Sequence, residues 1–138
     1  MRALTLLCVS LLGLLAGGCG TLDYTSYGDP SRVLVGTVNF GDPQLLPQDA
    51  VLVVRLIDTS HPGLPQVLGS QTLNNPGPSP IAYKIEYRAE DDLLRRGLNI
   101  EARISYGGQL RLYNVNEVSV KLSNVDAPHT VWLNSASR

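Results

Sequence analysis

Leu98-Asn99-Ile100-Glu101-Ala102-Arg103-Ile104-Ser105-Tyr106-Gly107-Gly108-Gln109 carries the clearest statement of fold class in the chain. Leu98, Ile100, Ala102, Ile104 and Tyr106 alternate with Asn99, Glu101, Arg103 and Ser105, the period of two that gives a strand one apolar and one wet face. Gly107-Gly108 then supplies both central residues of a two-residue hairpin turn, where positive φ is favoured. Gln109 to Val115 is therefore expected to return antiparallel.

The same pattern repeats on either side. Ile81, Tyr83, Ile85 and Tyr87 alternate with Ala82, Lys84 and Glu86, and Leu34, Gly36, Val38 and Phe40 share one face of Arg32 to Phe40. Val51 to Asp58 is apolar on both faces, which suggests a central strand covered on both sides or partly by a loop. Gln66 to Leu73 reads as a weaker edge strand, with further strands at Val118 to Leu122 and His129 to Leu133. Prolines cluster in Gly41 to Asp49, His61 to Pro65 and Asn74 to Pro80, and proline cannot donate to a ladder, so these are loops. Only Ala89 to Gly97 looks helical: acids first, arginines last, then a glycine suited to the C-terminal cap. The expectation is an all-β domain, an antiparallel β-sandwich or small barrel of seven to eight short strands with one short helical turn. No internal repeat and no second domain are visible.

The N-terminus has a different character. Arg2 precedes an apolar run from Ala3 to Leu15, followed by Ala16-Gly17-Gly18-Cys19. The run is shorter than the roughly 20 apolar residues of a spanning helix and has no stop-transfer pattern after it, so it reads as a removable export signal. Small residues ending on a cysteine resemble the signal of bacterial lipoproteins, in which that cysteine is acylated. The resemblance implies a signal over residues 1–18, lipid on Cys19, and a polar tether from Cys19 to Ser31 ahead of a single domain over residues 32–138. Ordinary cleavage nearby is the alternative; it would leave Cys19 as a lone thiol in an oxidising compartment. Cys8 leaves with the signal, so no internal disulfide is available and the core must hold the domain. Gly20 follows the cysteine. In enteric bacteria an aspartate there retains a lipoprotein at the inner membrane, so the likeness implies onward transport by the sorting machinery to the outer membrane. The net charge of −1 offers no basic field for nucleic acid.

Catalytic and metal chemistry find little support. His61 and His129 each neighbour a proline and read as surface-loop histidines, with no second ligand at metal spacing. Asp58, Ser60 and His61 are triad residue types, but neighbours on extended chain point apart and no nucleophile elbow occurs. Asp91-Asp92 is accounted for by the helix dipole. The expectation is a binding protein and not an enzyme, with no metal and no cofactor other than the covalent lipid. Tyr83, Tyr87 and Tyr106 fall on apolar faces. Tyr113 is out of phase with Leu110 and Leu112, and Trp132 with Val131 and Leu133. The two either mark an exposed docking surface or lie under a loop covering the second face.

Taken in order, G-T-V-x-F (Gly36 to Phe40), L-P-x-D-A-V-L-V-V-R-L-I-D (Leu46 to Asp58), P-I-x-Y-x-I-x-Y (Pro80 to Tyr87) and N-I-E-A-R-I (Asn99 to Ile104) resemble the YbaY/YscW family of small Gram-negative lipoproteins. The likeness runs from about Val33 to Leu133. It implies a β-sandwich and carries no active-site residue, since the family has no catalytic motif. YscW-type members are pilotins, which bind the C-terminal segment of a type III secretion secretin and escort it to the outer membrane. YbaY-type members are the alternative, envelope lipoproteins of structural or stress-related role without a secretin partner. The compactness of the chain favours the pilotin. By that resemblance the partners are a secretin tail and, through acylated Cys19, the periplasmic face of the outer membrane. Trp132, Tyr113 and the Leu45-Leu46 loop are the expected partner-binding residues, being apolar where alternation or loop position predicts exposure.

Overall fold

A computed structural model describes residues 31–41 and 45–136; Cys19, the signal and almost all of the proposed tether lie outside the described residues. Eight strands and one helix follow in the order β1 (Ser31–Phe40), β2 (Val51–Asp58), β3 (Gln66–Asn74), β4 (Ile81–Arg88), α1 (Asp91–Arg96), β5 (Leu98–Tyr106), β6 (Gln109–Tyr113), β7 (Val118–Val120) and β8 (His129–Ser135). They make one sheet, ordered β3-β2-β5-β6-β8-β1-β4, with β7 also paired to β5. The sheet curls until its two end strands meet, so the sandwich-or-barrel expectation resolves into a nearly closed, barrel-like shape. Among the described residues no helix is long and apolar enough to cross a membrane.

Alternation places the core as expected. Leu34 and Val38 of β1, Leu52, Val54 and Leu56 of β2, Ile85 of β4, Ile100 and Ile104 of β5 and Val131 of β8 point inward and are fully or almost fully buried. Tyr83 and Tyr87 join them, while Tyr106 packs on the core only partly buried, with the Arg111 guanidinium 5.0 Å from its ring centroid. The outer residues of β2, Val51, Val53, Arg55 and Ile57, are half-buried by cross-strand neighbours, which accounts for a run apolar on both sides. Gly107 and Gly108 take φ of 60° and 71° and make the β5–β6 turn. In α1, Asp91 and Asp92 begin and Arg95 and Arg96 end the helix, and Gly97 caps it at φ 95° by donating its N–H to the Leu93 carbonyl. Leu94 is driven into the core where β4 gives way to β5. Arg32 fastens the helix from β1, donating to the Ala89 carbonyl (2.9 Å) and to the Asp91 carboxylate.

All ladders are antiparallel except one: β1 lies parallel to β8, joining the first strand to the last. Gly36 sits where three strands cross, opposite Tyr83 on β4 and His129 on β8. The Tyr83 hydroxyl passes over Gly36 and donates to the His129 carbonyl at 2.9 Å. A Cβ on Gly36 would lie 1.8 Å from that carbonyl oxygen and 2.6 Å from the hydroxyl, so the row needs a residue without a side chain.

Two breaks in the backbone ladder are bridged by amides. Asn114, where β6 hands over to β7, accepts from the Ala102 N–H (2.8 Å) and donates to the Ile100 carbonyl (3.0 Å) through its side chain. Gln71 of β3 accepts from the Lys84 N–H of β4 at 2.7 Å, where the two end strands meet. Gly69 lets them approach, since a Cβ there would be 2.7 Å from the Glu86 carbonyl oxygen.

His129 is a correction to the sequence reading. It begins β8 facing inward and is buried rather than lying on a surface loop, with neither ring nitrogen meeting hydrogen-bond geometry. Burial pushes its imidazole below the ordinary range; the nearby Ala127 carbonyl opposes this only in part.

Gly36→Ala is expected to destabilise the domain by about 3 kcal/mol, the sum of a backbone clash and a lost hydrogen bond. Tyr83→Phe, which loses only the bond, should cost about 1 kcal/mol. Urea unfolding of both variants checks the pair, and a Gly36→Ala protein as stable as wild type would contradict the crossing. His129 gives a pH dependence. Because its folded pKa lies below its unfolded value, the unfolded chain takes up the proton first. The stability is present above the ordinary imidazole pKa of about 6.5 and falls as pH drops below it. Thermal melts between neutral and mildly acidic pH should show this loss, and His129→Leu should flatten it; an unchanged slope in the variant would rule His129 out as its source.

Candidate docking site

The site forms around β8, whose alternation decides what faces where. His129, Val131 and Leu133 point into the core, and Thr130, Trp132 and Asn134 point out. Trp132 is 58% exposed, so no loop among the described residues covers it. On β1 its register partner is Asn39. Asn134 pairs with Tyr113 of β6, which in turn pairs with Arg103 of β5, so Arg103, Tyr113 and Asn134 form one outward row across three strands. Trp132, one step along β8 on the same face, is the diagonal neighbour of Tyr113. Residues so placed are within reach of one another's long side chains. The two aromatics singled out by their phase thus share one surface, Trp132 exposed and Tyr113 half-buried.

Leu110 joins them, against the sequence reading. A bulge between Ile104 and Ser105 shifts the β5–β6 register, so Leu112 pairs with Ile104 and turns inward while Leu110 pairs with Ser105 and turns outward. Tyr113 is therefore out of phase with Leu112 but on the same face as Leu110.

Leu46 sits beside the end of β8, at the end of the barrel away from α1, and Leu45 precedes it in the loop. They behave differently from each other. Leu45 is 87% exposed, as expected of a loop residue. Leu46 is half-buried against the core, because the turn closed by the Ala50 N–H on the Pro47 carbonyl (3.0 Å) folds it inward. There it lines a cavity of about 240 Å³ with Phe40, Leu112 and Leu133, rimmed by Asn134 and Ser135. Asn134 thereby borders both the cavity and the aromatic face, and three of the four expected docking residues, Trp132, Tyr113 and Leu46, fall on one continuous region.

Charge is concentrated next to this face. Glu101 accepts from Arg55 across the β2–β5 pair at 2.7 Å and from Arg103 two residues along its own strand. Burial would raise its carboxyl, but the two arginine hydrogen bonds outweigh that and hold it below the ordinary range. Sequence reasoning missed this cluster, although the outward alternation of Glu101 and Arg103 was visible. The other polar candidates are structural. Ser60 donates its N–H (2.9 Å) and its hydroxyl (2.5 Å) to Asp58, closing a turn at the end of β2 and holding that carboxyl low, and His61 beyond it is exposed. Asp92 pairs with Arg95 within α1 at 2.6 Å. Among the described residues no group of three His, Cys, Asp or Glu is placed to hold a metal ion.

The fold has a solved counterpart. The chain is similar to the structure of an alternative pilotin from the type II secretion system of Vibrio cholerae, with a TM-score of 0.60 at 20% sequence identity, over 79% of this chain and 100% of that one. At that identity the likeness concerns the fold. No curated protein matches the chain. The family model for YscW, the type III secretion system lipoprotein chaperone, matches residues 29–133, a span that takes in every strand from β1 and all but the last two residues of β8. The chain belongs to the YscW family of type III secretion system lipoprotein chaperones.

Proposed function

We propose that the protein is a pilotin: it binds the C-terminal tail of a type III secretion secretin, and lipid on Cys19 carries the pair to the periplasmic face of the outer membrane. The observation that carries this reading is the family match across residues 29–133. The surface around β8 supports it. An amphipathic tail needs apolar seats, and Trp132, Tyr113 and the cavity beside Leu46 provide them on a rigid sheet. Aromatic residues at such a centre carry most of the binding energy when they become desolvated.

The division of labour is physical. The domain recognises the tail, and covering its apolar residues suppresses aggregation before the secretin ring assembles. The acyl chains supply membrane affinity at about 0.8 kcal/mol per buried methylene, so several together anchor almost permanently. The lipoprotein-sorting machinery then delivers the complex. Nothing in this scheme asks for catalysis or a cofactor beyond the covalent lipid.

Trp132→Ala is expected to weaken binding of the secretin tail by about 30-fold, the effect of losing one hot-spot aromatic. Leu46→Asp should weaken it as well by placing a charge on the cavity wall. Titration of a labelled tail peptide against each variant measures this. Unchanged binding in both would show that the tail docks elsewhere on the domain.

A further inference from the structure

The outer face of β5, β6 and β8 carries an unbalanced charge beside its aromatics. Among the described residues Glu101 is the only carboxylate that receives Arg55 and Arg103, so the three side chains together hold one excess positive charge. Their exposures are unequal. Glu101 is 24% exposed and turned toward its partners, while Arg103 is 47% exposed and stands at the edge of the cluster. Arg103 is also the residue in register with Tyr113, and through it with Asn134. A guanidinium has five donors in a planar fork, more than one shared carboxylate can use, and favours a second carboxylate where one is offered. Leu110, Tyr113 and Trp132 make the surface beside it apolar, with no acidic residue in the row.

We propose that this face recognises a carboxylate on the bound segment, received by Arg103, next to an apolar side chain that seats against Tyr113 and Trp132. The inference rests on the reading of the β8 surface as the docking site for a secretin tail, and it assigns the chemistry of that tail. Arg103 and Trp132 are separated by two strand spacings across the sheet and two residues along it, about 12 Å in all, which an extended peptide covers in about three to four residues. The recognised pattern is therefore an acidic residue, or the partner chain's own terminal carboxylate, about three to four positions from a large apolar residue. The aromatics supply most of the affinity, and Arg103 sets the register and steers the approach.

The test is a double-mutant cycle read by fluorescence anisotropy. One probe is a labelled peptide of the C-terminal tail of the host's type III secretin. The second is the same peptide with each Asp and Glu changed to its amide and the terminus amidated. Arg103→Gln should weaken the acidic peptide about tenfold, the loss of one charge-assisted contact, and flatten its salt dependence. The neutralised peptide should bind wild type about tenfold more weakly and lose nothing further against Arg103→Gln. Arg103→Lys, which keeps the charge and an ion pair to Glu101, should fall between, and thermal melts confirm that each variant is folded. Equal binding of the two peptides by wild type would overturn the proposal. So would full binding by Arg103→Gln when Trp132→Ala is impaired, an outcome that leaves the docking face standing and removes only the carboxylate. If wild type binds neither peptide, the secretin-tail reading fails and this inference with it.

Discussion

Tyr83 crossing Gly36 to reach the His129 carbonyl is the contact on which the rest of the barrel depends. It locks β4, β1 and β8 into one row, and two of those strands come from opposite ends of the domain. Strand alternation then fixes everything downstream. With His129 facing in, Val131 and Leu133 fill the core and Trp132 must face out. A slip of one residue in β8 would bury Trp132 and expose the core side chains. The proposed docking surface is thus a consequence of register, and register here depends on one glycine.

Closing the sheet leaves places where backbone cannot meet backbone, and the chain fills them with amide side chains. Gln71 stands in where β3 meets β4, and Asn114 where β6 yields to β7. Both leave neighbouring polar groups satisfied in positions where an unpaired one would cost about 1–3 kcal/mol. The bulge near Leu110 also turns β6 so that Leu110 and Tyr113 share a face. This irregularity in the ladder therefore shapes the surface proposed to bind the partner.

Much of this was legible beforehand. The alternation of β4 and β5, the Gly107-Gly108 turn and the charge order of α1 each report local physics, and each appears where expected. The departures are nonlocal. His129 follows a proline at the end of a loop, and only its pairing with Gly36 turns it inward. Leu110 and Leu112 have the same parity in the sequence, and a bulge specified by strand pairing separates them. Leu46 looks exposed as a loop residue, but the turn at Pro47 brings it onto Phe40 and Leu133. Trp132 and Tyr113 could be singled out by phase; that they are neighbours required the sheet order.

The proposed function needs three parts: a lipid for delivery, a barrel for rigidity, and an aromatic surface with an arginine at its margin for recognition. Of these, the barrel is fixed by residues within the domain. The most direct measurement is affinity purification of the lipidated protein from its native host, followed by mass spectrometry of what accompanies it. A type III secretin is expected with wild type and still bound by a soluble Cys19→Ser form, since in a pilotin the domain recognises and the lipid only delivers. Recovery of no secretin, under conditions where one is expressed, would contradict the pilotin reading.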